Sequence, residues 1–214
     1  MTLTRRIALA GILGPPFFIA VFLVDGLVKP GYNPIVQTVS AGSIGELGWI
    51  QVCNFLVLGV ALSAFAIGLW RGFGDRVSGR IGSALIAAVG IGLLCAGVFV
   101  ADPGYRAVTV HGNLHMTASL VIFLSLIVGC FVFAKRFWSD RRFAIYSIAT
   151  GPVIPVSFSA AFALPSLPGL LERVMLIGVL TWITVLALRL RGLSTATISA
   201  AALSVHTTAV RDSR

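Results

Sequence analysis

Apolar residues gather into six long blocks: Ile7–Val28, Trp49–Trp70, Ile81–Val100, His111–Ala134, Phe143–Leu164 and Leu171–Leu190. Each holds 20 to 24 residues. As helix that is about 30–36 Å, enough to cross the hydrocarbon of a bilayer. The pattern predicts an all-α integral membrane protein, a compact six-transmembrane-helix bundle. Residues 1–193 form one domain, and the Ser/Thr/Ala-rich segment 194–214 reads as a mobile tail. The connections Arg71–Arg80 and Lys135–Arg142 are short and impose antiparallel neighbours. Trp49, Trp70, Phe137 and Trp138 suit interfacial anchoring. Gly14-Pro15-Pro16 should kink or break the first helix, and Gly151-Pro152 with Pro155 the fifth. Gly82, Gly90, Gly92 and Gly97 allow the third helix close approach to its neighbours at the bundle centre.

Composition sharpens this. Only 11% of residues are charged and mean hydropathy is +0.99, against roughly 25% charged in a soluble domain. Disorder, a disulfide scaffold and an ordinary cytosolic enzyme are excluded. The net charge of +9 is a topology signal by its placement. Six spans put both termini on one side, and that side carries 13 Lys and Arg against 3 on the other. The positive-inside rule predicts cytoplasmic termini in the cell (plasma or inner) membrane. No basic patch is interleaved with aromatics outside the spans, so nucleic acid is not an expected partner. The first span lacks an A-x-A-like site and reads as a retained helix. Cys53, Cys95 and Cys130 fall inside spans and read as small buried residues.

The candidate chemistry clusters at the outer ends of the spans. The longest connection, Lys29–Gly48, contains Tyr32 and Ser40; its apolar Ile35, Val36, Val39 and Ile44 let it fold back as a cap. Ionisable groups at membrane depth are costly and by default functional. Here they are Asp25, Asp102, His111, His115 and the Glu172-Arg173 pair, with Gln51 and Asn54 one turn apart and Ser119 continuing the histidine stripe. His111 and His115 are spaced i,i+4 on one helical face, which suits two ligands of one zinc ion. The third ligand would have to be Asp25 or Asp102. Bis-histidyl haem is disfavoured, because no other span contains a histidine. Without a metal the histidines are interfacial hydrogen-bonding groups or acid–base residues. Asp25 is either a buried acid or an interfacial solvated one, and Asp102 before Pro103-Gly104 suits a turn. Glu172-Arg173 also reads as ordinary charge in a first helical turn.

Five segments carry a family likeness: PGYNPIVQTVSAGSIGELGWIQVCNFLVLG, GVFVADPG, HGNLH, AKRF…YSIATG and LLERV…TWITVLALRLR. In order and spacing the chain resembles the domain-of-unknown-function 998 family of bacterial multi-pass membrane proteins, over about residues 10–192. The resemblance implies a six-helix membrane domain and no particular activity. Relatives often place an acidic residue after the second histidine, where this chain has Met116.

Two functions are expected. One is a protein whose outward-facing polar pocket binds a lipid, isoprenoid or other apolar ligand, with Tyr32, Ser40, Gln51, Asn54, Ser119, Glu172 and Arg173 as contacts. The other is a membrane enzyme, acid–base or metal-dependent, with His111, His115, Asp25 and Asp102 as working groups. Membrane lipids and an apolar small molecule are the expected partners. A transporter is disfavoured, since the sequence has no inverted repeat.

Overall fold

A computed structural model describes the backbone of residues 3–105 and 107–212, with side chains except those of Arg5, Tyr105 and the residues beyond Gly192. The long elements among the described residues are all α-helices, in the order α1 (Leu3–Val28), α2 (Gly48–Phe73), α3 (Val77–Val98), α4 (Val110–Arg136), α5 (Arg141–Thr150), α6 (Val153–Ala163) and α7 (Pro168–Asp212). Six segments are long and apolar enough to cross a membrane; α5 and α6 together supply the fifth, and Pro168–Gly192 of α7 the sixth. The mobile tail expected over 194–214 lies outside the described side chains.

The helices form a ring. Each packs on the next in chain order, and α7 closes the ring on α1. Phe65, Leu62, Ile86, Phe133 and Trp182 fill the interior, all fully buried. The outward faces are equally apolar, with Leu13, Val60, Ile91, Leu120 and Val174 exposed. Such a helix, hydrophobic all round, belongs in lipid. Rather than lying at the bundle centre, α3 stands in the ring between α2 and α4. Its glycines serve those two contacts: a Cβ at Gly90 would lie 2.6 Å from the Ser63 amide nitrogen and 2.9 Å from the Gly59 carbonyl oxygen.

The two proline sites behave differently. The helix α1 continues through Pro15 and Pro16 without the expected break. The fifth span does break, at Gly151-Pro152. Pro155 starts no further break, because it sits in the first turn of α6, where its missing N–H has no helical partner to lose.

At the face bearing the termini, Asp140 caps α5 by accepting from the Phe143 amide at 3.3 Å and pairs with Arg189. The Arg189 guanidinium also lies 4.3 Å from the Phe143 ring centroid. Inside the bundle the Trp182 indole donates to the Ser147 hydroxyl at 2.9 Å, fastening α7 to α5. The opposite, distal face carries the connections 29–47, 99–109 and 164–167, and the candidate chemistry.

Candidate functional site

The 29–47 connection folds over the distal end of the bundle, tied down mainly by one cation. Arg173 lies in the second turn of α7 and is only 5% exposed. Its Nη1 donates to the carbonyls of Pro34 at 2.6 Å, Gln37 at 2.8 Å and Gly169 at 3.0 Å. Its Nη2 donates to the Tyr32 hydroxyl at 2.6 Å, and that hydroxyl donates to the Thr38 carbonyl, also at 2.6 Å. Burial is the main cause that pushes the Tyr32 phenol above its ordinary pKa. Next door, Glu172 accepts from the Val39 amide at 2.8 Å, and the Lys29 ammonium donates to the Gly42 carbonyl.

The expected cap therefore exists, but polar clasps seat it more than an apolar run does. Val39 is 2% exposed, whereas Ile35 and Val36 remain 48% and 37% exposed. A buried guanidinium left without partners is expensive, so it imposes this loop path on the chain.

Beneath the cap lies a cavity of about 860 Å³. The loop roofs it with Tyr32, Thr38, Ser40 and Ile44; α4 supplies His115, Ser119, Phe123 and Leu124; α6 supplies Ile154, Pro155 and Phe158. Its origin is the broken span. The helix α5 packs on α4, but beyond Gly151-Pro152 the chain leaves α4, and α6 packs on α7 instead. A gap between α4 and α6 follows, confined to the distal half. Phe123 and Phe158 bridge it edge to face, ring centroids 4.9 Å apart. The rim residues Leu120, Leu124 and Phe158 are exposed where lipid chains would lie. A smaller void of about 50 Å³ sits deeper and shares Ser40, Ser119, Phe123 and Glu172 with the large one.

Of the residues singled out from sequence, Tyr32, Ser40, Asp102, His115, Ser119 and Glu172 line this cavity. The other five do not. Arg173 is occupied by the loop. His111 is exposed and packs against the Phe99 ring, centroids 5.4 Å apart. Gln51 and Asn54 are buried and joined to each other at 3.3 Å, while Asn54 also donates to the Phe18 carbonyl at 3.1 Å. Asp25 is buried rather than interfacial, with Oδ1 lacking a hydrogen-bond partner and Lys29 and Arg173 nearby.

The four proposed working groups do not join into one hydrogen-bonded set, although Asp102 lies near His111 and lines the cavity with His115. No hydrogen bond joins Asp25 or Asp102 to either imidazole. Asp102 instead accepts from the Val108 and Thr109 amides and the Thr109 hydroxyl, each at 2.7 Å. Those bonds, Thr109's first, hold its carboxyl below the usual carboxylate range. His115 is tied through Nδ1 to the carbonyls of Phe99 at 2.8 Å and Ala96 at 3.1 Å, at the end of α3. Among the described residues no group of three or more His, Cys, Asp or Glu side chains could hold a metal, so the third zinc ligand expected for His111 and His115 is not brought to them.

Sequence reasoning missed Lys29, Phe123, Phe158, Ile154 and Pro155. Lys29 was open to discovery as a cation beside Pro30-Gly31, where the chain has to double back; Pro155 stood out only as a helix breaker, and Phe123, Ile154 and Phe158 sit in unremarkable apolar runs.

A family model described as "Protein of unknown function (DUF998)" matches residues 12–189. The chain belongs to that family. No curated protein and no solved structure matches this DUF998 chain.

Proposed function

We propose that this DUF998 protein binds an apolar-tailed molecule drawn sideways from one leaflet through the gap between α4 and α6. The carrying observation is the roughly 860 Å³ cavity beneath a tethered cap, apolar along α4 and α6 and polar toward the loop. That volume is within the 300–1,000 Å³ usual for ligand sites, and apolar walls with few polar groups are their usual chemistry. The cation asymmetry supports reading the distal face as the exterior one, which would assign the ligand to the outer leaflet of the cell membrane. The enzymatic alternative called on four groups acting together; a binding role needs only the cavity.

The test uses the full-length protein in nanodiscs with hexadecanol carrying a diazirine along its chain. Photolysis should attach the label to peptides containing Phe123 and Phe158. Ser119→Trp, which fills the space shared by both voids, should abolish that labelling while leaving thermal unfolding unchanged. Labelling spread evenly over lipid-facing helices, and indifferent to Ser119→Trp, would overturn the reading.

A further inference from the structure

Three polar side chains border both voids beneath the cap: Ser40, Ser119 and Glu172. They come from separate elements, the 29–47 connection, α4 and α7. The rest of the deeper void is walled by apolar side chains, Phe18, Phe55 and Leu93 among them. What these three groups offer to an occupant is the question, and the answer rests on the binding reading above.

Glu172 is fixed in place from the cap. Its Oε2 accepts from the Val39 amide at 2.8 Å, and the Arg173 charge lies close by. Its Oε1 takes no hydrogen bond from the protein, yet is not sealed off by it. Since Glu172 lines both voids, the open space beside Oε1 is theirs. Asp102 also lines the large cavity, but both its oxygens are taken by Val108 and Thr109. Among the described residues the Ser40 and Ser119 hydroxyls have no hydrogen-bond partner and are likewise not sealed off.

An ionised carboxylate accepts and cannot donate. An ether or ester oxygen against Oε1 would set lone pair against lone pair, whereas an O–H or N–H gains a charge-assisted hydrogen bond. The serine hydroxyls donate or accept, so they support either kind of head without choosing between them. We propose that Glu172 Oε1, flanked by Ser40 and Ser119, is a head-group site for a hydroxyl or ammonium donor, and that the occupant's tail runs from there between α4 and α6 toward the side gap.

The experiment is competition against the same photolabelled hexadecanol, with the full chain in phosphatidylcholine nanodiscs, whose head group carries no donor. It is run at about pH 8.5, where a carboxyl is ionised. The competitors are hexadecanol, hexadecylamine and hexadecyl methyl ether. The better of the two donor-bearing heads should compete about tenfold more strongly than the ether, which keeps the tail and loses the donor. Which of the two leads tells hydroxyl from ammonium. Glu172→Gln reverses the site's polarity without removing the cap contact. The Val39 amide only donates, so the new carbonyl must face it and the new NH2 turns into the void. That variant should bring alcohol, amine and ether within about twofold of one another. A merely structural role for Glu172 would weaken all three together and leave their ratios alone.

An ether that competes as well as both alcohol and amine overturns the head-group assignment. So does an undiminished donor preference in Glu172→Gln. If that variant does not fold, the wild-type order of competitors decides alone. In each of these cases labelling of the α4 and α6 peptides still supports the binding site. Failure of hexadecanol to label those peptides at all removes the binding reading itself.

Discussion

Arg173 offers the sharpest test of how the distal cap is held. Replacing it with methionine keeps an unbranched side chain of similar reach and deletes the guanidinium. Four hydrogen bonds disappear, three to main-chain carbonyls and one to the Tyr32 hydroxyl. The two hydrogens of Nη1 serve three carbonyls, so three full bonds are at stake; at roughly 1.5–3 kcal/mol net for each hydrogen bond to a charged group they sum to about 4.5–9 kcal/mol. Releasing the cation from its buried position returns several kcal/mol of desolvation. Water then reaches the freed loop carbonyls and recovers more. A weakening of cap closure by about 3 kcal/mol remains, equivalent to roughly a 150-fold rise in the open fraction. The assay is labelling of cysteine placed at Ser40, on a background lacking Cys53, Cys95 and Cys130, by a bulky membrane-impermeant maleimide. Wild type should label slowly and Arg173→Met about two orders of magnitude faster. Arg173→Lys should fall between them, because an ammonium keeps the charge but not the planar fork that serves the loop and Tyr32 together. Equal labelling of wild type and Arg173→Met would refute the clasp.

Further outcomes are expected elsewhere. Asp102 has a folded-state pKa below its ordinary 3.8, so its tie to Val108 and Thr109 is complete above about pH 4 and is lost as pH falls through the folded value; intrinsic-rate-corrected hydrogen exchange should show Thr109 deprotected below that pH, and Asp102→Asn should remove this dependence. Leu47 is the one non-glycine with positive φ among the described residues, at 62°; Leu47→Asn, which tolerates that conformation, should raise the thermal midpoint by about 2–3 °C, corresponding to about 1 kcal/mol of relieved strain. Gly90→Ala pushes a methyl onto the α2 backbone and should cost about 1–3 kcal/mol, read as a lowered midpoint in nanodiscs. Cysteines at the exposed positions Ser139 and Asn33 should label from opposite sides of the membrane, position 139 from the cytoplasm; exterior labelling of position 139 would reverse the proposed orientation.

The helices were legible from sequence because each span carries its own signal. Hydropathy over about 20 residues needs no knowledge of neighbours, and the Gly151-Pro152 break follows from proline's missing donor. The Pro15-Pro16 break did not follow, since packing and context can carry a helix through proline. The site was half legible. His115, Glu172 and Tyr32 announce themselves as polar groups near apolar spans, and they do meet at the cavity. Their roles were less visible. The i,i+4 pair His111 and His115 looked like a unit, yet its upper member packs on Phe99 at the surface while its lower member is tied to the end of α3. Arg173 reads locally as first-turn charge; its partners lie about 140 positions earlier in the chain, at Tyr32, Pro34 and Gln37. Phe123 and Phe158 belong to separate spans, and only the divergence of α6 from α4 makes them a pair.

The parting of the fifth span at Gly151-Pro152 also fixes a geography for traffic. Its α5 half seals one side of the membrane against α4, and its α6 half leaves a side door on the other. A molecule entering there has been living in a single monolayer, and it leaves to that same monolayer unless the lower seal opens. Occupancy by the proposed ligand would thus sample the composition of one leaflet and be blind to the other. Under the binding proposed above, such an arrangement would serve to sense, hold or present a component of that monolayer.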